Sequence, residues 1–493
     1  MKWSVLQLNT AYSQLPVNTQ PARVDHTTRT GAWLWYNVNQ WTAGFFSGCF
    51  WELQQIYKLT GLISASNPNG VPWSTIATSV MQNVAPNAFL TNTADIGFIL
   101  QTSLGESLSV MGSTDTSSPP LLLQGAQSES SRFVSVAGCV RSWDNSAGQP
   151  SSWVQVIIDN MMNLELMLAS SQLPSGSTTW YNQAISHARQ TAANHVRPDG
   201  STYHLVIYSS VTGAVIQKTT VQGYSATSCW SRGQAWAIAG FTMVYRYTQL
   251  PDILATAMAV ADYFVTNLAP DFVPVWDFNA PPSLPYKDTS AASAAAVGLI
   301  ELDFYAPGRG YLQAAVNIVN SLTQSYLSSQ QQPSGLQYES ILMNGSANVM
   351  AGGYNGGLIY GDYYYLKALR LILQQQGGAF SGSSSGTPTT GTTGTGSLQG
   401  NPTPSAALGT APPPKLSPSP PPPPPPKLSP SPPPPTATQT QSLVSSTPNT
   451  QNQSLAFSTH IQSLTSSTHT QSLTSTHTEP LSTVCSSANL ASL

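Results

Sequence analysis

The sequence predicts an all-α domain of packed helix pairs, with one β-hairpin inserted and a proline-rich tail appended. Three observations carry this. Apolar residues recur at helical spacing in eight long runs before residue 376. Only one pair of segments alternates like strands. From Gln376 the apolar periodicity stops, and Ser, Thr, Gly, Gln and Pro take over.

The runs at 41–59, 153–170, 180–195, 233–247, 253–267, 290–305, 312–327 and 358–373 read as helices. Several carry start signals: Pro251-Asp252 opens the fifth, and Asp288-Thr-Ser290 precedes the Ala-rich sixth. Loops rich in Gly, Pro, Asn and Ser separate them, as at 64–70 and 113–120. The strand pair is 203–208 and 215–220, joined across Ser209-Ser-Val-Thr-Gly213, a short Gly-containing hairpin turn. Helix pairs recurring over such a length pack as a ring or a solenoid.

The tail, 376–493, carries Lys415, Lys427 and Glu479 as its only charges and cannot bury enough surface to offset its ordering entropy. It is expected to be disordered, leaving residues 1–375 as the folded, catalytic domain. Its twelve-residue block Pro-Pro-Pro-Lys-Leu-Ser-Pro-Ser-Pro-Pro-Pro-Pro occurs twice in succession, a pattern that forms a stiff polyproline rod. Ser followed by runs of Pro resembles the extensin-type segments of cell-wall glycoproteins; the alternative is a plain linker. The tail therefore points to an extracellular, wall- or matrix-associated protein, whereas the first residues lack the apolar stretch of a secretory signal. Asn344 and Asn452 sit in glycosylation sequons.

Net charge is −3 with 8% charged residues, so no basic stripe offers itself to nucleic acid. No apolar run approaches the roughly 20 residues that span a bilayer. Cys49, Cys139, Cys229 and Cys485 are too far apart for a zinc cluster or a redox pair. The three tail histidines, His460, His469 and His477, are too dispersed for metal binding, and no metal or cofactor is expected.

The segment 229–248 places Arg232, Gln234, Trp230 and Trp236 within seven positions at the mouth of an apolar helical run. A guanidinium fork recognises a carboxylate through two parallel hydrogen bonds, and aromatic faces suit sugar rings. An acidic-sugar pocket is one reading; a buried helix whose Arg232 pairs with a structural carboxylate is the other. Asp159 lies in Trp153-Val-Gln-Val-Ile-Ile-Asp-Asn-Met-Met-Asn-Leu-Glu-Leu-Met-Leu168, apolar on nearly every side. Desolvation disfavours its charged form and raises its pKa, as a general acid requires. Asp95, in Thr93-Ala-Asp-Ile-Gly-Phe-Ile-Leu100, would raise that pKa further if the fold brought the two together. The alternative for each Asp is to cap a helix.

Nine blocks then align the chain with a known family. They are Trp41-Thr-Ala-Gly-Phe-Phe-Ser-Gly48, Ala94-Asp-Ile-Gly-Phe98, Ile158-Asp-Asn-Met-Met-Asn-Leu164, His195-Val-Arg-Pro-Asp-Gly-Ser-Thr-Tyr-His204, Gln222-Gly-Tyr-Ser225, Trp230-Ser-Arg-Gly-Gln-Ala-Trp236, Trp276-Asp-Phe-Asn-Ala-Pro281, Asp288-Thr-Ser-Ala-Ala292 and Gly361-Asp-Tyr-Tyr-Tyr-Leu366. In this order and spacing the chain resembles the unsaturated glucuronyl hydrolases, glycosidases built as a six-hairpin (α/α)6 barrel. The related rhamnogalacturonyl hydrolases share that barrel. The Asp-Asn-Met-Met-Asn-Leu block and the spacing of Gln222, Arg232 and Trp236 favour the glucuronyl branch. A barrel that binds wall polysaccharide without turnover is the reading outside catalysis.

The resemblance implies that Asp159 is the general acid/base and that Asp95 holds the sugar hydroxyls. It implies that His204, Gln222, Arg232 and Trp236 line the subsite for an unsaturated uronate, with Trp41 and Trp143 as aromatic walls. The implied substrate is an oligosaccharide ending in that sugar, hydrated across its C4=C5 bond. Two departures stand out: Ala94 replaces the His that many relatives have before the Asp, and loop 344–357 lacks the Ser and Lys cluster some relatives use for sulfated substrates. Trp276 and Asp277 read as scaffold, and Arg197 and Asp199 as shaping the hairpin turn. His187 and His195 read as core or surface residues.

Overall fold

Six helices close into a ring, and five of them are backed by a partner on the outer side. The structure, a computed structural model, describes residues 1–24, 31–330 and 338–380. In chain order the helices are α1 (Lys2–Gln14), α2 (Ala43–Thr60), α3 (Trp73–Val84), α4 (Ile96–Leu100), α5 (Glu106–Met111), α6 (Ser118–Ser130), α7 (Asn160–Ser171), α8 (Thr178–Asn194), α9 (Ser231–Thr248), α10 (Pro251–Thr266), α11 (Thr289–Tyr305), α12 (Tyr311–Ser325) and α13 (Ile359–Phe380). The inner ring runs α2, α4, α7, α9, α11, α13 and back to α2; α3, α6, α8, α10 and α12 each pack behind the inner helix that precedes them. This is the expected (α/α)6 arrangement. The tail from residue 381, with Asn452, Cys485 and the tail histidines, lies outside the described residues.

Inner helices are flanked on both sides, so they must be apolar or small nearly all round. In α9 every residue from Ser231 to Val244 is buried, and in α11 every residue from Thr289 to Ile300. Ala, Ser and Gly dominate α11 because its neighbours approach closely: a Cβ on Gly298 would lie 2.8 Å from the Ala239 Cα of α9. Gly97 does the same where α4 meets α7, with a Cβ there only 2.5 Å from the Asn163 Cα and carbonyl oxygen. Both obstacles are backbone and cannot rotate away. Gly97→Ala should therefore part the two helices and cost about 1–3 kcal/mol, read as a lowered denaturant midpoint with unchanged slope.

The strands are β1 (Thr19–Val24), β2 (Trp33–Asn37), β3 (Phe133–Val134), β4 (Cys139–Val140), β5 (Trp153–Ile157), β6 (Leu205–Ser209), β7 (Val215–Thr219) and β8 (Gly357–Leu358). They form three small antiparallel sheets, ordered β2-β1-β8, β3-β4 and β5-β6-β7. The expected hairpin is β6–β7, and it gains β5 as a third strand. The run 153–170 is thus not one helix. Val154, Val156 and Ile157 pair with β6, and the helix begins only after Asp159. Helices α1, α3, α4, α5 and α6 were not expected. The stretch from Ile96 to Met111 is interrupted by a π-helical turn over Gln101–Gly105, and α6 carries prolines in its first turn, inside what reads as a loop.

Among the described residues no helix is long and apolar enough to cross a membrane, and no cluster of three or more His, Cys, Asp or Glu residues could hold a metal. Cys49, Cys139 and Cys229 are buried free thiols.

Candidate active site

The N-terminal ends of the inner helices bring the candidate residues together. Trp41 stands just before α2, Asp95 before α4, Asp159 before α7 and Asp288 before α11; Arg232 and Tyr360 are the second residues of α9 and α13. Each helix end turns the positive pole of its dipole to the mouth of the ring, which favours an anionic ligand.

Asp159 and Asp95 occupy N-cap positions, yet neither side chain caps its helix. The Asp159 carboxyl is free for another task. It is 7% exposed, and its Oδ2 finds no hydrogen-bond partner among the described residues. Burial pushes its pKa up to about 7, against the opposing charge of Arg232 and with help from the negative charge of Asp95. Asp95 is half-buried and accepts from Asn163 Nδ2 at 3.3 Å and from Thr93 Oγ1 at 3.2 Å. Burial raises its pKa as well, while those two hydrogen bonds and the charge of Arg132 hold it down. Asn163, one turn along α7 from Asp159, also accepts from the Phe98 N–H at 2.7 Å and so locks the two Asp-bearing helix ends together.

His204 faces Asp159, with Nε2 3.6 Å from Oδ2. Its Nδ1 accepts from the backbone N–H groups of Val221 and Gln222 at 3.1 and 3.3 Å. Two donors on Nδ1 leave the proton on Nε2, the nitrogen turned to the carboxyl. Burial and the nearby Arg232 charge lower the His204 pKa to about 3, so the ring stays neutral. Trp236 is fully buried between Phe98 and Tyr364, and its Nε1 also lacks a partner in normal hydrogen-bond geometry, although the indole dipole adds a weak pull on Asp159.

Arg232 is 1% exposed, and its fork is already occupied. Nη1 donates to Asp288 Oδ2 at 2.7 Å and to the Ser346 carbonyl; Nη2 donates to Gln222 Oε1 and the Ala347 carbonyl, both at 2.7 Å. The guanidinium lies 4.4 Å from the Trp230 ring centre and 5.4 Å from that of Tyr360. Only Nε has no partner among the described residues. The pairing with a buried structural carboxylate is thus realised, and the two-pronged grip on a ligand is not available in this state. Asp288 does two things at once: Oδ1 caps α11 through the N–H groups of Ser290 and Ala291, while Oδ2 holds Arg232. The sequence signalled only the cap.

The remaining walls follow. Trp41 packs 4.7 Å from the Tyr360 ring and 5.5 Å from Phe98. Trp143 pairs through its backbone with Thr93 and packs against Ile157 and Leu205, each near a site residue. Gln222 is half-buried beside Arg232. Asp277 is scaffold, accepting from Tyr224 N and Ser228 Oγ at 2.8 and 2.6 Å to fix the loop that carries Gln222. Arg197 pins the same loop through the carbonyls of Thr227 and Ser228. His187 and His195 are core residues bonded to backbone at Val140 and Val156. Ala94 is buried, its N–H donating to the Ser142 carbonyl at 2.9 Å. Loop 344–357 folds back on itself through bridges Gly345–Gly356 and Asn348–Gly353, which present the two carbonyls to Arg232. Sequence reasoning missed Asp288, Tyr360 and Asn163 as members of this cluster, although all three lie inside quoted blocks or directly beside one; Trp230 belongs to the segment read as a pocket.

No family model matches the chain. It is 35% identical over 336 residues to the unsaturated glucuronyl hydrolase of Formosa agariphila, spanning 67% of this chain and 79% of that one. To the unsaturated glucuronyl hydrolase of Bacillus sp. (strain GL1) it is 32% identical over 337 residues, 67% of this chain and 85% of the other. Among solved structures, an unsaturated glucuronyl hydrolase specific for heparin matches with a TM-score of 0.68 at 30% identity, covering 76% of this chain and 96% of that one.

Proposed function

The chain belongs to the unsaturated glucuronyl hydrolase family, and on that premise we propose that Asp159 serves as its general acid and then as its general base. It is a glycosidase that releases unsaturated glucuronic acid from oligosaccharides. The terminal sugar carries a C4=C5 double bond conjugated to its carboxylate, which makes it an enol ether. Protonated Asp159 delivers its proton to C4, and positive charge develops at C5, shared with the ring oxygen. The carboxylate left on Asp159 then takes a proton from the water that adds at C5. The hemiketal so formed opens, and the glycosidic bond breaks without displacement at the anomeric carbon.

One observation carries this reading: a buried carboxyl with an unpartnered oxygen and a pKa of about 7. Its neighbours suit both steps. The neutral His204 Nε2–H and the Trp236 N–H favour the carboxylate once it forms, so the group is poised near its operating pH. Asp95 fits a role in holding the sugar hydroxyls, with Trp41 and Trp143 as walls for the ring. Gln222 and the single free Nε–H of Arg232 fit the uronate carboxylate, aided by the field of the converging helix ends. The proline-rich tail supports a spacer to a cell wall or extracellular matrix; it follows a folded domain whose last helix, α13, runs to Phe380, a little past the boundary expected at residue 375.

The test is to incubate the protein with an unsaturated uronic disaccharide and follow loss of the absorbance of its conjugated double bond. The acid must start protonated, so kcat/KM should stay level below pH about 7 and fall about tenfold per pH unit above it. A rate that rises through that range would remove Asp159 from the acid role, and a flat trace with every such disaccharide would leave a binding protein.

A further inference from the structure

Asp95 and Asp159 both stand where an Asp side chain normally caps its helix, and neither does so. In α7 the backbone closes the first turn by itself. The N–H groups of Met161 and Met162 donate to the carbonyls of Ile158 and Asp159 at 3.1 and 2.9 Å. In α4 a residue of another helix does this work. The Phe98 N–H, the group an N-cap side chain at Asp95 would accept, donates instead to Asn163 Oδ1 at 2.7 Å. A backbone N–H can only donate, so the amide oxygen of Asn163 faces Phe98 and its NH2 faces Asp95. Nδ2 then donates to Asp95 Oδ1 at 3.3 Å. Asn163 is fully buried, with Gly97 packed on its backbone, so the amide is held in this sense.

We propose that Asn163 is the positioning residue of the carboxyl pair: it caps α4 in place of Asp95 and holds the released Asp95 as a carboxylate for the sugar hydroxyls, a role that rests on the reading of Asp95 given above. The two carboxyls differ in the donors they meet. Asp95 accepts one hydrogen bond on each oxygen, from Asn163 and from Thr93 Oγ1 at 3.2 Å. Asp159 Oδ2 accepts none in normal geometry among the described residues. Donors favour the charged form, so a single proton divided between the two settles on Asp159, where the reaction needs it. Other charges bear on Asp95. Arg132, just past α6, supports its ionisation, but is itself paired with Asp144 and flanked by Arg141. Glu129 on α6 and Asp159 on α7 oppose it. Burial and the Asp95 charge push the fully buried Glu129 carboxyl well above the usual range, which favours its neutral form.

The test reads Asp95 itself. Label the aspartate carboxyls with ¹³C, assign the Asp95 resonance by its loss in Asp95→Asn, and titrate the parent and Asn163→Ala. Losing one donor to a charged group should raise the Asp95 midpoint by about one pH unit. The level stretch of kcat/KM should then end about one pH unit sooner on its acid side, while the alkaline edge set by Asp159 stays near 7. If Asn163 only props up the fold, Asn163→Ala lowers the melting temperature and depresses kcat/KM evenly at every pH. An unmoved Asp95 midpoint and acid edge overturn the proposal. Should Asn163→Ala fail to fold, Asn163→Asp keeps an oxygen for Phe98 and replaces the donor with a second carboxyl. Its acid edge should rise by more than about one pH unit, and an edge that stays put overturns the proposal equally. If the parent turns over no unsaturated disaccharide while the Asp95 midpoint still rises in Asn163→Ala, the positioning stands and the catalytic reading falls.

Discussion

Replacing Asp159 with Asn should lower kcat by about 10²–10⁴-fold, the range general acid–base catalysis supplies, while unsaturated disaccharide still binds. The amide keeps the shape of the carboxyl but has no proton to deliver to C4. Stability separates this from misfolding. Asp159 titrates near 7 when folded and near 4 when unfolded, so the folded state holds its proton more tightly. The stability this contributes is fully present below about pH 4 and lost as pH rises through about 7. Asn carries no such titration. The variant should therefore be at least as stable as the parent at pH 8, and retained turnover in a well-folded variant would refute the acid assignment.

Arg232→Ala should cost about 3–5 kcal/mol of stability, because it leaves Asp288 buried without its cation. Asp288 is fully buried and Arg232 nearly so, which removes the solvent screening that makes surface pairs weak. The same change frees the Ser346 and Ala347 carbonyls and Gln222, so loop 344–357 loses its anchor. Removing the positive charge also lets the Asp159 pKa climb further. Activity should then persist to higher pH in whatever enzyme remains folded. Calorimetry of Arg232→Ala, Asp288→Asn and the double variant measures the coupling. An unchanged melting temperature with weaker uronate binding would make Arg232 a ligand group alone.

How much of this was legible before the structure depends on which residues are asked about. Five of the six inner helices declared themselves, because a helix flanked on both sides is apolar or small throughout, as the Ala- and Ser-rich α11 is; the five-residue α4 was too short to do so. The acid was legible for a related reason: a charged group with apolar residues on nearly every side is conspicuous, as Asp159 is between Ile158 and the Met161-Met162 pair. Helix boundaries were less so. Trp153–Ile157 shares the apolar character of α7, and only pairing with Leu205–Ser209, some fifty residues away, makes it a strand. The prolines that begin α6 read as loop because a first-turn proline and a turn proline look alike in one sequence. Asp288 signalled a cap and was one, but its second oxygen reaches an arginine 56 residues distant. Local pattern carries the first fact and only the closed ring carries the second.

The account turns on the protonation state of one side chain. With aspartate carboxyl groups labelled with ¹³C, and the Asp159 resonance assigned by its loss in Asp159→Asn, an NMR titration reads that state directly. The predicted midpoint is about 7. A midpoint near the ordinary aspartate value of about 4 would mean the group is already ionised when substrate arrives, and the protonation of C4 would need another donor.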